Sequence, residues 1–146
     1  APLSHPQVVG MAIGTRPDCV ADDVLDLLDE VAAKTYLSVE YGMQTMHDRS
    51  LDWMNRGHHH DTFLDAMHRS KDRGFEICAH VILGLPGESH EDMLETAREL
   101  ARVKVDAIKI HNLYAVKNKT GDGCRVCWGT NNDGFRYVYI PSFSIY

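Results

Sequence analysis

Short apolar runs alternate with segments of helical periodicity along the first 117 residues. The runs are too short for helices and are bounded by Gly, Pro and polar residues, which is typical of buried β-strands. We predict four such strands, at residues 7–13, 36–39, 77–83 and 107–110. Helical segments connect them, so strand and helix alternate through this part of the chain.

Amphipathic helices are predicted between the strands. The first has apolar side chains at the i, i+3, i+4 and i+7 spacing of one helix face, at Val24, Leu27, Leu28 and Val31. Two later helices begin with the spacing of a capping box, formed by Thr45 with Asp48 and by Ser89 with Asp92. A further helix is predicted between Gly57 and Gly74.

This order of elements predicts an α/β fold with parallel strands, because a helical connection returns the chain to the same end of the sheet. Polar and glycine residues cluster after each strand, at the end where α/β folds bind ligands. Four strands are too few to close a barrel. We therefore expect either an open sheet or part of a TIM-type (βα) barrel, with about four parallel strands and outer helices.

The composition changes abruptly after Lys117. Every leucine lies at or before Leu113, every glutamate at or before Glu99 and every alanine at or before Ala115. Residues 118–146 are instead rich in Gly, Asn and aromatic residues. Two interpretations stay open, a small β appendage or an out-of-frame continuation. We place a domain boundary here, with a core at residues 1–117 and an anomalous tail after it.

Composition narrows the class of protein. Lysine and arginine number 15 against 21 acidic residues, a formal net charge of −6, which argues against a general nucleic-acid-binding surface. No apolar run reaches the ~20 residues of a membrane span. The opening APLSHPQ lacks the basic and apolar segments of a secretory signal. We therefore expect a cytoplasmic protein with reduced cysteines, in which Cys19 and Cys78 are packed thiols.

The segments after the strands supply candidate ligand-binding groups. Glu40 and Gln44 follow the second strand, and a carboxylate at the end of a buried strand needs a partner. That partner is either Arg16 in a structural salt bridge, or a ligand hydroxyl or amine. Arg16 also has the planar fork that binds a ligand carboxylate. The glycine-containing turn at residues 84–88 either simply enters a helix or admits an anion or a ligand backbone.

Histidine is abundant, at 9 residues. Residues 58–60 are all histidine and are expected in a solvent-exposed loop. His80 is predicted to be a hydrogen-bonded core residue, and His111 either a structural or a ligand-contacting one. A zinc hydrolase barrel would use such positions, together with an Asp and a paired His-x-His motif. Cys124 and Cys127 form only half of a metal site, so we assign no metal ligand.

Four segments taken together resemble a known family. They run in order as AIGTRPDCV, VEYGMQTMHDRSLDWMNRGH, HVILGLPGESHEDMLETA and IKIHNLY. The series is similar to the radical S-adenosylmethionine (radical SAM) superfamily. Within it, the series is most similar to bacterial Fe–S oxidoreductases of the YtqA/YhcC type, related to the Elongator/MiaB/NifB-like and oxygen-independent coproporphyrinogen oxidase cores. The resemblance extends over about residues 8–117.

The resemblance implies a (βα)6 partial barrel, of which this chain would hold the third to sixth strands. Members of the family bind S-adenosylmethionine and a [4Fe–4S] cluster, and cleave S-adenosylmethionine reductively to a 5′-deoxyadenosyl radical. The full-length parent would therefore be an oxidoreductase-type enzyme with a small-molecule cofactor. Related families act on RNA or on protein, and this sequence does not identify the substrate.

The family's cofactor site carries over to individual positions as an expectation. We expect seven residues to bind S-adenosylmethionine: Arg16, Glu40, Gln44, Leu83, Gly84, Glu88 and His111. By resemblance, the first three would lie at the ribose and methionyl part of the cofactor and the last four near its adenine.

Two departures from the family pattern limit this interpretation. No CxxxCxxC motif occurs in the chain, so the cluster has no three-thiolate site here, and the first two strands have no counterpart. We expect a fragment of a radical SAM core that is inactive alone and whose exposed strand edge favours self-association. The alternatives are a noncatalytic α/β ligand-binding module and, with less support, a metal-dependent hydrolase barrel.

Overall fold

A computed structural model describes residues 5, 7–117, 127–130 and 135–145. Its strands are β1 (Gly10–Thr15), β2 (Tyr36–Gln44), β3 (Glu76–Leu83), β4 (Ala107–Lys117), β5 (Cys127–Thr130) and β6 (Phe135–Ile145). Its helices are α1 (Asp22–Ala32), α2 (Asp48–Trp53), α3 (His60–Ser70) and α4 (His90–Val103), and a 3-10 turn spans Pro17–Cys19. Within the described part of the chain, these helices are too short or too polar to cross a membrane.

The first four strands form a parallel sheet in the order of the sequence. β6 runs antiparallel along β4, and β5 lies beyond it at the outer edge. The predicted α/β architecture of parallel strands alternating with helices is therefore confirmed. The boundary at residue 117 stays a prediction. So does self-association through β1, which pairs on one side only within the described sheet.

The helix-covered face of the sheet forms the core. Alternate residues of β2 point to this face and are each at most 1% exposed: Leu37, Val39, Tyr41 and Met43. The prediction that this strand ends at residue 39 is wrong, because Tyr41 and Met43 also bury large side chains in the core, which extends the strand to Gln44. Glu40 therefore lies inside the strand and not after it.

Helix α1 presents a different face to the core from the one predicted. Leu28 is buried as predicted, but the second buried residue is Leu25, whereas Leu27 is 58% exposed and Val24 37% exposed. Val31 packs partly buried against the core, as predicted. Both sets of residues satisfy a 3.6-residue period, and the docking of the helix on the sheet decides between them.

One of the two predicted capping boxes is present. Ser89 and Asp92 cap α4 reciprocally. Thr45 and Asp48 do not cap α2, which begins after His47 without a side-chain cap. The Thr45 hydroxyl instead donates to Glu88 Oε1 at 2.7 Å, because tertiary packing brings the turn after β3 beside the end of β2.

Candidate functional site

A cavity of about 550 Å³ opens at the carboxyl-terminal halves of β1, β2 and β3, on the face opposite the helices. Alternate residues line it at the end of β2 (Glu40, Gly42 and Gln44) and of β3 (His80 and Ile82), because successive side chains alternate between the two faces of a sheet. Its lining residues are Gly14, Thr15, Arg16, Glu40, Gly42, Gln44, Arg56, His80 and Ile82. The structure thus brings together three of the predicted cofactor-binding residues: Arg16, Glu40 and Gln44.

Gln44 is held in an unusual conformation at the end of β2. Its φ of 69° lies in the left-handed region, which is costly for a residue with a side chain. The residue is 6% exposed, and its Oε1 atom has no hydrogen-bond partner among the described residues. The end of β2 therefore places a buried amide, one atom of which lacks a described hydrogen-bond partner, in the wall of the cavity.

Arg56 lies beside Gln44, in the loop after α2. It is 5% exposed, and its Nη2 donates to the carbonyl of Gly42 at 3.2 Å. Burial, and then the nearby charge of Arg16, lower the pKa of Arg56 to about 10, so the guanidinium stays protonated at neutral pH. Arg56 lies in the family-like segment VEYGMQTMHDRSLDWMNRGH but was not among the predicted site residues, because a loop has no periodicity that would place its side chain at the cavity.

Gly42 makes the approach of these two side chains possible. A Cβ atom at this position would overlap the Arg56 guanidinium and the Gln44 amide. The glycine is therefore required by its neighbours' positions, while Gly14, which also lines the cavity, has no described atom within 4 Å of a Cβ placed on it.

Arg16 does not pair with Glu40, so the predicted salt bridge between them is wrong. Its guanidinium binds Asp18 bidentately, with Nε 2.9 Å from Oδ1. The hydrogen bond to Asp18 is the main reason that the pKa of Arg16 lies above its ordinary value. The local turn after β1 places Asp18 within reach, which leaves Arg16 half exposed at the edge of the cavity.

Glu40 is instead held by residues of β3 and β4. Lys109 Nζ donates to Glu40 Oε1, and His80 Nε2 lies 2.9 Å from Glu40 Oε2. His80 Nδ1 in turn lies 3.1 Å from His111 Nε2. The four side chains form a continuous hydrogen-bonded chain across three strands. His80 is hydrogen-bonded as predicted, but its side chain is 20% exposed and lines the cavity, so the prediction that it lies in the core is wrong.

Ionisation in this chain follows from burial and from the partners. Burial would raise the pKa of Glu40, but the hydrogen bonds from Lys109 and His80 outweigh it, so the pKa lies below its ordinary value. Burial lowers the pKa of His80, against the effect of Glu40. Burial, then the charges of His80 and Lys109, lower the pKa of His111 to about 4. At neutral pH the carboxylate is charged and both rings are neutral.

The other four predicted cofactor-binding residues do not line this cavity. Leu83 ends β3, and Gly84 follows with a φ of 81°. Glu88 accepts the hydrogen bond from Thr45. His111 is buried and contacts the cavity-lining ring of His80.

The three consecutive histidines diverge. Only His59 is exposed as predicted, and it pairs with Asp52 at 2.8 Å. His58 is 6% exposed, and His60 begins α3 and lies 2.9 Å from Glu99. The expected exposed loop is therefore wrong for two of the three, because the start of α3 packs against the rest of the molecule.

One group in the described part of the chain has three potential metal ligands: His47, Asp92 and Glu95. Asp92 is already committed to Arg49 and to the cap of α4. The group also lies at the amino-terminal end of α4, where the helix dipole disfavours a cation. We assign no metal to it.

The two described cysteines differ in their exposure to solvent. Cys78 is buried in β3, and burial raises the pKa of its thiol to about 11. Cys19 is exposed, so the prediction that it is packed is wrong. Cys124 and the side chain of Cys127 lie outside the described residues.

Comparison with known proteins identifies the family. The model of the radical SAM superfamily matches residues 4–100. YtqA of Bacillus subtilis is 43% identical over 115 residues, which cover 79% of this chain and 36% of YtqA. Elp3 of the archaeon Methanocaldococcus infernus superposes with a TM-score of 0.62 at 27% identity, over 70% of this chain and 24% of Elp3.

A third match carries cofactors. The radical S-adenosylmethionine methyltransferase TsrM of Kitasatospora setae was solved with cobalamin and a [4Fe–4S] cluster bound. It superposes with a TM-score of 0.61 over 73% of this chain and 21% of TsrM. At 16% identity this likeness shows the fold alone.

The chain spans little more than a third of YtqA and a smaller share of each solved structure. It therefore corresponds to part of larger proteins with a TIM-type barrel, and the cysteines of the family's cluster motif are not in it. Because the family model matches about two thirds of its length, this chain belongs to the radical SAM superfamily.

Proposed function

We propose that the cavity binds S-adenosylmethionine, as the carboxyl-terminal part of a radical SAM core whose full-length parent cleaves it reductively to a 5′-deoxyadenosyl radical. The observation that carries the proposal is the buried, strained Gln44, whose Oε1 has no described hydrogen-bond partner. Leaving a buried acceptor unsatisfied costs about 1–3 kcal/mol. A ligand N–H or O–H group would remove that cost, and strain of this kind is typical of ligand sites.

The polar groups of the cavity match the functional groups of this ligand. Arg56 has a planar, buried guanidinium suited to an amino-acid carboxylate. Glu40 uses one lone pair on each oxygen for Lys109 and His80, so each oxygen has capacity to accept a ribose hydroxyl. The volume of about 550 Å³ is in the usual range for a small-molecule site.

A [4Fe–4S] cluster does not fit the described cysteines. Cys19 is exposed in the 3-10 turn and Cys78 is buried in β3, and neither belongs to a group of three thiols. We therefore derive no step through the cluster. In the family the cofactors supply the radical chemistry, and the role proposed for this chain is to bind S-adenosylmethionine and to orient it.

Calorimetric titration of the chain with S-adenosylmethionine tests the proposal. We expect saturable binding that weakens by about tenfold or more in Arg56→Met and in Gln44→Leu, because each variant removes a buried polar contact to the ligand. Arg98→Met is the matched control, because Arg98 pairs with Glu91 on the exposed surface of α4.

Two results would overturn the assignment. One is the absence of binding by a chain whose circular dichroism and unfolding transition show it to be folded. The other is equal binding by the wild type, Arg56→Met and Arg98→Met. Binding with no cluster motif encoded upstream of the chain would favour the noncatalytic ligand-binding module.

Partners and location are further proposals. S-adenosylmethionine is the proposed small-molecule partner, and related families act on RNA or on protein. Reduced Cys19 and Cys78 accord with the proposed cytoplasmic location. The metal-dependent hydrolase gains no support, because His80 and His111 hydrogen-bond to each other and belong to no three-ligand group in the described structure.

A further inference from the structure

The hydrogen-bonded chain behind the cavity has a defined direction. An ionised carboxylate only accepts hydrogen bonds, so His80 must carry its proton on Nε2 to donate to Glu40. A neutral imidazole has one N–H, which leaves His80 Nδ1 as an acceptor. His111 must then carry its proton on Nε2 to donate to His80.

This direction links two residues outside the cavity to one that lines it. Lys109 binds one oxygen of Glu40, and His111 orients the ring that binds the other. Both carboxylate oxygens are thereby held by hydrogen bonds. Because Glu40 lines the cavity, the remaining lone pairs of its oxygens are available to a ligand there.

We propose that Lys109 and His111 are positioning residues for ligand binding, acting through Glu40, and that His111 acts by fixing the orientation of the His80 ring, whose tautomer Glu40 sets. The inference rests on the proposed function, in which Glu40 accepts ligand hydroxyl groups. Neither residue lines the cavity, so each would affect the ligand without touching it.

Protonation of His80 would break the chain in this tautomer. His80 Nδ1 would then carry a hydrogen that faces the Nε2–H of His111 at 3.1 Å, and the contact would turn repulsive, whereas protonation of His111 adds a proton on its Nδ1, away from His80. Among the described residues, the titratable groups that shift the pKa of His80 are Glu40, Lys109 and Arg56. Those that shift the pKa of His111 are His80, Lys109 and Glu40.

Ligand affinity should therefore fall on acidification. The fall comes from lost orientation of His80 and Glu40, since Glu40 itself stays ionised when its pKa lies below the ordinary value. The affinity should be nearly constant above about pH 7, where both rings are neutral.

A matched pair of variants tests the role of His111. His111→Gln keeps an N–H that can donate to His80 Nδ1, whereas His111→Leu removes it. We expect S-adenosylmethionine affinity within about threefold of the wild type for His111→Gln, and about tenfold weaker for His111→Leu. Lys109→Arg should likewise bind better than Lys109→Met, because only the former keeps a charged donor to Glu40.

Nitrogen-15 NMR of the histidine rings gives a readout independent of the ligand. In the wild type at about pH 7, His80 and His111 should both show a protonated Nε2 and a bare Nδ1. In His111→Leu, His80 should keep the proton on Nε2, while its bare Nδ1 loses the hydrogen bond from His111 and its nitrogen-15 shift changes accordingly. A wild-type His80 protonated on Nδ1 overturns the inference, even if both variants fail to fold.

The two proposals fail separately. If the folded wild type binds no S-adenosylmethionine but shows the expected tautomers, the proposed function is wrong, and the positioning role for this ligand falls with it. If the wild type binds and His111→Leu binds equally tightly, the positioning role is wrong and the proposed function stands.

Discussion

The ammonium group of Lys109 reaches across β3 to the carboxylate of Glu40 on β2. The two residues are 69 positions apart in the sequence, and both side chains are largely buried. Each charge needs the other, because a buried charge without a partner is costly. The pair therefore ties the second strand to the fourth at the base of the proposed ligand site.

Removing one member of this pair should be more harmful than removing both. Lys109→Met leaves the Glu40 carboxylate with a single donor and should lower the free energy of unfolding by about 3 kcal/mol. The double variant with Glu40→Gln should recover at least half of that loss. Urea denaturation checks both values, and equal stability of the single and double variants would contradict the pairing.

Two glycines that line the same cavity should respond differently to alanine. Gly42→Ala should destabilise the protein by about 1–3 kcal/mol and abolish ligand binding, because its Cβ overlaps Arg56 and Gln44. Gly14→Ala should leave stability unchanged, because its Cβ meets none of the described atoms within 4 Å. Thermal unfolding and titration calorimetry of the two variants test this contrast.

Relief of the backbone strain at Gln44 should raise stability and lower affinity together. Glycine adopts a φ of 69° without steric cost, so Gln44→Gly should add about 1 kcal/mol to the free energy of unfolding while it removes the amide. Lys104→Gly, at a φ of 57° after α4, is the control that should gain stability with unchanged binding. A Gln44→Gly variant with unchanged affinity would argue against ligand contact by Gln44.

Folding stability should decrease with acidification below about pH 6.5, the usual pKa of histidine in an unfolded chain. Burial lowers the pKa of His111 to about 4 in the folded state. Between about pH 6.5 and about pH 4 the unfolded state binds more protons than the folded state, so the free energy of unfolding decreases as the pH is lowered. The contribution of His111 to this decrease levels off below about pH 4. Urea denaturation at several pH values should show a smaller fall in His111→Gln, and parallel curves would refute the assignment.

The thiols of Cys19 and Cys78 should differ in reactivity. In a Cys124→Ser/Cys127→Ser background, one thiol should react rapidly with a disulfide reagent at about pH 8, and Cys19→Ser should abolish that reaction. Cys78 should react only on unfolding, because it is buried and its thiol pKa is about 11. Rapid reaction of Cys78 in the folded chain would show that β3 is more accessible than the structure indicates.

The order of elements could be predicted from the sequence, because it depends on local periodicity. The apolar runs gave the four parallel strands, and the Ser89–Asp92 spacing gave a correct helix cap, since both are properties of neighbouring residues. The ordered motifs also identified the family, which the match over residues 4–100 supports. Arg16, Glu40 and Gln44 were located at one cavity because carboxyl ends of parallel strands meet at one end of a sheet.

The partners of those residues depended on contacts between distant parts of the chain. Local sequence suggested Arg16 as the partner of Glu40, whereas the register of β2, β3 and β4 brought Lys109 and His80 to it. The buried face of α1 and the site role of Arg56 were likewise invisible, because a helical period fits several faces and a loop has no period. The sequence by itself determined which strands and helices form and in what order. Only the tertiary structure decided which side chains meet. Strand register and helix docking minimise the free energy of the whole molecule, and no single segment determines them.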